Sequence, residues 1–329
     1  MAVDRRAQYR ALALLALAQL LAMSLWFSAS AVGPSFAVAW DLSGARTAWL
    51  TNAVQLGFVI GAVASTALTV ADVVKPRYLI AASALAGAAA TTLIAAVVES
   101  FLPAVALRLA TGVALAGVYP PGMKVMAGWF RGGRGFAIGT LVGALTVGSA
   151  MPHLLRYVGG VSNPRLVLYG ASGLAVVGGL SVLAVRPGPY QPDPAAFDPR
   201  AVGRILRDRE TMLANVGYFG HMWELYAVWT WIPVYLAASF AAGGVGSERL
   251  AALLAFATIA VGGPGAVAAG LWADRVGRTT VTGVSMAASG VACVAAGLAF
   301  GGPLAVVVPF ALAWGIAVVA DSAQFSTAV

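Results

Sequence analysis

Ten stretches of about 20 mostly apolar residues follow one another along this chain, near 11–34, 47–70, 78–98, 101–123, 135–157, 165–185, 211–238, 250–272, 279–300 and 303–324. A helix needs about that length to cross a hydrocarbon core. The composition forces the same reading. Sixty per cent of the 329 residues are apolar and 10% are charged, against about 25% charged in a soluble domain. The 20 basic and 12 acidic side chains are too few for the polar skin of a soluble protein of this size. Lipid removes the need for one, provided that each span satisfies its own backbone as a helix. The fold class expected is therefore an all-α membrane bundle.

The connections are short except between the sixth and seventh spans. There Pro187, Pro189, Pro192, Pro194 and Pro199 precede Arg200, Arg204, Arg207 and Arg209, which breaks the helix and excludes lipid. We expect an N-terminal six-helix bundle over 1–186, a cytoplasmic linker over 187–210, and a C-terminal bundle of four helices over 211–329. With the N-terminus inside, fifteen of the basic residues fall in inside segments. Four (Arg46, Arg156, Arg165 and Arg249) fall outside, and Arg108 lies within a span. That bias orients the chain. It also argues against nucleic acid as the partner of a chain whose net charge is +8, because the basic residues form no stripe with interleaved aromatics. Ala29-Ser30-Ala31 fits a signal-peptide cleavage site. Cleavage there would leave nine spans and upset the charge pattern, so the first stretch is read as a retained span. A faint internal repeat, Met23 and Pro34 against Met222 and Pro233, supports two similar halves.

Four segments carry finer signals. Gly270-Leu-Trp-Ala-Asp274-Arg275-Val-Gly277-Arg278 follows the eighth span; its glycine permits close helix approach and its charges can latch one conformational state. A degraded counterpart after the second span keeps Asp72 and Arg77, with Lys75 between them and Leu68 in the glycine position. In the fourth span Arg108, Gly112, Leu115 and Tyr119 share a face at 4-3-4 spacing. An arginine inside a span is a functional hypothesis by default, with snorkelling to the interface as its alternative. The segment Trp129 to Gly139 leads into a fifth span with Gly135, Gly139, Gly143 and Gly148 on it and Pro152 near its outer half. His153 follows as an interfacial histidine.

The seventh span carries the most chemistry. His221, Glu224, Val228, Trp231 and Tyr235 fall on one face, and a carboxylate and an imidazole three residues apart at lipid depth can share a proton. Asp321 and Gln324 are read as the water-accessible end of the tenth span. No phosphate-binding G-x-x-x-x-G-K-[ST] motif occurs. Two histidines and one cysteine, Cys293 within an apolar run, make no metal or nucleophile site. No cofactor and no enzymatic activity are expected.

The G-x-x-x-D-R-x-G-R pattern at 270–278, the Arg108–Gly112 pattern and the Trp129–Gly139 segment together resemble the major facilitator superfamily, over essentially the whole chain. They are similar, loosely, to its nitrate/nitrite and cyanate-like branches. The resemblance implies secondary active transport of a small solute by alternating access, and it implies twelve helices. The chain is accordingly expected to lack the last pair and to be a fragment. Arg108, Tyr119, His221, Glu224 and Trp231 are then the candidates for substrate binding or coupling. Asp72, Arg77, Gly270, Asp274, Arg275, Gly277 and Arg278 are the candidates for the cytoplasmic latch. The expected partners are a small solute, anionic if Arg108 binds it, with protons and the lipid bilayer. The expected location is a bacterial inner membrane, and the expected state a monomer. A drug or metabolite exporter of the same superfamily is the alternative. A membrane sensor is the rival from another class.

Overall fold

The computed structural model describes residues 4–160, 163–191 and 203–328. These residues form helices and turns, and no strand occurs among them. Nine helices among them are long and apolar enough to cross a membrane: Gly44–Ala67, Pro76–Val97, Phe101–Ala127, Arg134–Gly159, Pro164–Ala184, Arg209–Ala242, Glu248–Val276, Arg278–Ala299 and Leu304–Ser326. They coincide with the second to tenth apolar stretches. The first stretch is divided into helices Arg5–Met23, Ser28–Ala31 and Gly33–Ala39. Of the linker, residues 192–202 lie outside the described residues, Pro192, Pro194, Pro199 and Arg200 among them.

Local sequence explains the ends of the helices. Asp4, Ser43, Asn163, Asp208 and Ser247 each accept a hydrogen bond from the backbone of the first turn. This satisfies donors that a helix start otherwise leaves open. Pro76 and Pro164 open their helices, where a missing N–H costs nothing. Gly277 takes φ +91° between Gly262–Val276 and Arg278–Ala299, a conformation that a side chain disfavours. That accounts for its place in the loop motif.

The chain divides into two compact units, Met1–Gly132 with Gly148–Ala196, and Gly133–Val147 with Phe197–Val329. The long helix Arg134–Leu155 thus begins in the second unit and ends in the first, whereas our expected boundary at 186 puts all of it in the first. Its glycines give the reason. A Cβ on Gly143 would meet the backbone of Gly263, and one on Gly139 the backbone of Ala266. Small residues of this kind let helices approach where lipid supplies no hydrophobic drive.

Within the first unit the tightest packing joins Gly44–Ala67 to Phe101–Leu115. A Cβ on Gly57 would collide with the Leu109 carbonyl, and one on Gly112 with the Val54 carbonyl. Helix Pro164–Ser181 packs on Arg5–Met23 and on Pro76–Val97. Within the second unit Gly315 lies against the Thr258 carbonyl, and Gly262 against Gly315 and Val319. This contact fixes the eighth span, itself interrupted at Val261, against the tenth.

Candidate functional site

Arg108 is a cation in the interior of a span of the first unit, and it does not snorkel. It is fully buried. Its Nε donates to the Leu50 carbonyl at 3.1 Å, and Nη1 donates to the Leu25 carbonyl at 2.9 Å and to Ser28 Oγ at 3.2 Å. Nη2 donates to the Trp26 carbonyl. The first span is interrupted at residues 24–27, where a helix break frees carbonyls from their usual partners. Arg108 supplies the missing donors, and those carbonyls compensate its charge. The guanidinium therefore has little left to offer a solute. Tyr119 does not continue the Arg108 stripe: residues 116–118 form a turn, and Tyr119 opens a separate helix, Tyr119–Ala127. Its carbonyl accepts from Gln19 Nε2 at 3.4 Å.

The second unit brings together a different set of groups from the one expected. His221 is fully buried. Its Nε2 lies 2.7 Å from Ser322 Oγ and its Nδ1 lies 3.0 Å from Asp321 Oδ1. The Nδ1 contact is at ion-pair distance without hydrogen-bond alignment. Asp321 is also buried. It stands where the tenth span breaks between Leu304–Ala320 and Ser322–Ala328. It is thus an interior carboxylate, and the expectation of a water-accessible helix end is corrected. Aromatic rings wall the pair. The Phe325 ring lies 5.4 Å from that of His221 and 5.6 Å from that of Tyr218, both stacked. Gly217 gives Phe325 room: a Cβ there would lie 3.0 Å from its Cε1.

Glu224 does not share a proton with His221. Its Oε1 accepts from Ser289 Oγ at 2.5 Å, and that hydroxyl accepts from Trp314 Nε1 at 3.2 Å. The two groups of the seventh span are thus drawn to different neighbours, His221 to the break in the tenth span and Glu224 to the ninth. Trp231 joins neither. It is 61% exposed and Trp223 is 74% exposed, whereas Trp229 is buried.

The loop residues separate in the same way. Asp72 pairs with Lys124, which also donates to the Ala71 carbonyl at 3.1 Å. Arg77 turns instead to Tyr78, donating to its hydroxyl at 2.9 Å and lying 4.7 Å from the ring centroid. In the second unit the Asp274 carboxylate lies against Gly135, where a Cβ would come within 2.9 Å of Oδ1. That is the first turn of Arg134–Leu155, where backbone N–H groups favour negative charge. Gly270 faces the Gly135 carbonyl from the neighbouring helix. Arg275 and Arg278 are exposed. His153, expected at the interface, is buried, and neither ring nitrogen has a hydrogen-bond partner.

Sequence reasoning missed Asp321, Ser322 and Ser289 as site residues, and Lys124 as the partner of Asp72. For Asp321 a signal existed: the apolar pattern runs on to Phe325 and encloses the carboxylate. The serines carry no signal, because a hydroxyl on a helix commonly bonds its own backbone.

An all-helical polytopic protein with buried ionisable groups on interrupted helices belongs to the class of membrane transporters. The chain belongs to the Major Facilitator Superfamily, whose family model matches residues 15–329. No curated protein sequence matches it. Among solved structures it is similar to the nucleoside transporter NupG (D323A mutant), with a TM-score of 0.72 and 17% identity, over 96% of this chain and 82% of that one. It is also similar to a bacterial homologue of the human lysosomal transporter Spinster. The inward-facing unoccupied form gives a TM-score of 0.63 at 17% identity, over 99% of this chain and 76% of that one. The inward-facing occupied form gives 0.67 at 16%, over 99% and 74%.

Proposed function

We propose that this protein carries a small solute across a bacterial inner membrane by alternating access, driven by a proton held at His221 and Asp321. The observation that carries this reading is the burial of an imidazole between a carboxylate and a hydroxyl at a helix break in the tenth span. Burying an ionisable pair is costly, and within a membrane such pairs mark proton or substrate paths. A proton bound there neutralises the carboxylate or charges the imidazole, and so changes the electrostatics of the break. Glu224, hydrogen-bonded to Ser289, is a second protonatable group on the same helix. Asp72 with Lys124, and Asp274 at the first turn of Arg134–Leu155, are the latch contacts that open and close with access.

Arg108 gives no support to an anionic solute, because its donors are taken up by the first and second spans. We assign it a positioning role. Fold likeness does not select a cargo, so nucleosides enter a uptake screen beside sugars, amino acids and organic cations.

The test uses proteoliposomes with an imposed pH gradient. The parent protein accumulates its solute only with the gradient, and accumulation is lost in Asp321→Asn and His221→Gln. Exchange of labelled for unlabelled solute without a gradient persists in both variants, because exchange needs no net proton movement. Gradient-driven accumulation by Asp321→Asn at the parent level would refute the assignment.

A further inference from the structure

The first unit contains a cavity of about 360 Å³ beside the Asp72–Lys124 latch pair, and the transport reading gives it no ligand. Its volume falls within the range of about 300–1,000 Å³ usual for small-molecule sites. Leu15, Ile80, Val125, Val182 and Val185 give it an apolar floor, and Asp72, Lys75, Arg77, Lys124, Arg186 and Gln191 contribute polar groups. The charges do not balance. Asp72 is the one carboxylate among the described lining residues, and it is already paired with Lys124. Lys75, Arg77 and Arg186 therefore line the cavity as three cationic residues with no carboxylate to neutralise them among the described lining residues. Lys75 and Arg186 are exposed. Arg77 donates to a phenol, which does not offset its charge.

The cavity is also braced from below. Trp129 Nε1 donates to the Arg186 carbonyl at 3.1 Å, and Gln191 Nε2 donates to the Val125 carbonyl at 3.2 Å. Arg131 lies over the Tyr190 ring at 4.3 Å. These contacts fix the chain around Arg186, which lines the cavity together with the loop 71–77. The charge bias of the chain assigns this end to the cytoplasmic side, where anionic headgroups attract basic pockets between helices.

We propose that this cavity binds a phosphate-bearing anion, with Lys75, Arg77 and Arg186 contacting the phosphoryl oxygens and the apolar floor receiving whatever the phosphate carries. An anionic phospholipid headgroup and a free phosphate share this chemistry. The whole protein in detergent is titrated with dioctanoyl-phosphatidylglycerol, dioctanoyl-phosphatidylcholine or sodium phosphate, and binding is read by calorimetry. Phosphatidylglycerol is expected to bind. Lys75→Gln and Arg186→Gln should each weaken it about fivefold, the value of one basic side chain at an anionic surface. Both residues are exposed, so the ligand-free thermal midpoint should not move. Arg165→Gln, at the opposite end, should leave affinity unchanged. Raising the salt should weaken binding in the parent protein without any substitution. Binding of sodium phosphate with the same dependence on Lys75 and Arg186 would support the site and identify the free anion as a source. Equal affinity for the two lipids, or affinity indifferent to both substitutions and to salt, would overturn the proposal.

Discussion

Replacing Arg108 with alanine would remove, in one step, the donors of four hydrogen bonds around the break in the first span. The Leu25 carbonyl keeps the Ser28 hydroxyl as a donor, whereas the Trp26 carbonyl is left open; a buried acceptor without a donor costs about 1–3 kcal/mol, which should show as a fall in the thermal midpoint in detergent. Arg108→Lys should recover part of it, since an ammonium lacks the planar fork that reaches several carbonyls at once. The pair of variants separates two roles. A positioning residue loses stability first and solute affinity only as a consequence. A solute-contacting arginine would lose affinity in Arg108→Lys at an unchanged midpoint, and that result would restore the anionic-solute expectation. The sequence marked Arg108 as costly, because a cation stood alone in an apolar run. It could not show what answered the charge, since the answering groups are backbone carbonyls and any residue has one.

At the scale of helices, close approach is the feature most open to test. Gly57 and Gly112 leave no room for a methyl group, because each lies against a carbonyl of the facing helix. Gly112→Val must therefore separate Gly44–Ala67 from Phe101–Leu115, and overpacking of this kind costs about 1–3 kcal/mol. Gly173→Val, where nothing lies near the added Cβ, should be close to neutral in the same thermal assay. A second test concerns the start of the seventh span. Helix Arg209–Ala242 has 34 residues, about 51 Å at 1.5 Å each, against a hydrocarbon core of about 30 Å. One end must stand in water, and Asp208 caps it. Hydrogen bonds from the Thr211 hydroxyl and backbone hold the Asp208 carboxyl below its ordinary value of 3.8. Because the folded value is the lower one, the cap is complete above 3.8 and is lost as pH falls through the lowered value. Amide exchange over residues 209–212 should accelerate selectively in that acid window, and Asp208→Ala should show the faster exchange already at neutral pH.

These elements also show where reading a sequence stops. Nine of the ten apolar stretches are helical over a membrane's thickness, because about twenty consecutive apolar residues in lipid must satisfy their own backbone. Of the interruptions at residues 24–27, 116–118 and 321, only the middle one had a signal in the sequence, Pro120 and Pro121 at the start of the next helix. The first and last of these lie in apolar runs with no proline at the break, and each meets a tertiary partner instead, Arg108 and His221. The same holds for the site. The face His221–Glu224–Val228 follows from helical period alone, but which neighbour each group meets depends on packing by Ser289, Ser322 and Phe325.

For the molecule as a whole, charge distribution makes a claim that packing does not. Fifteen basic residues in the segments that the sequence assigns to the inside, against four in those assigned to the outside, should fix orientation, since each cation resists translocation. Cys293 is the single cysteine of the chain, so Cys293→Ser gives a background free of thiols. Onto it, Arg207→Cys places a thiol before the seventh span and Glu99→Cys places one between the third and fourth; both positions are exposed. In intact cells a membrane-impermeant maleimide should label Glu99→Cys and spare Arg207→Cys, and permeabilisation should expose the second. The same orientation puts Lys75, Arg77 and Arg186 on the side of Arg207, where the basic cavity would meet the cytoplasmic leaflet. Labelling of Arg207→Cys from outside would reverse the orientation, and it would remove the leaflet argument for that cavity while leaving its three uncompensated cations in place.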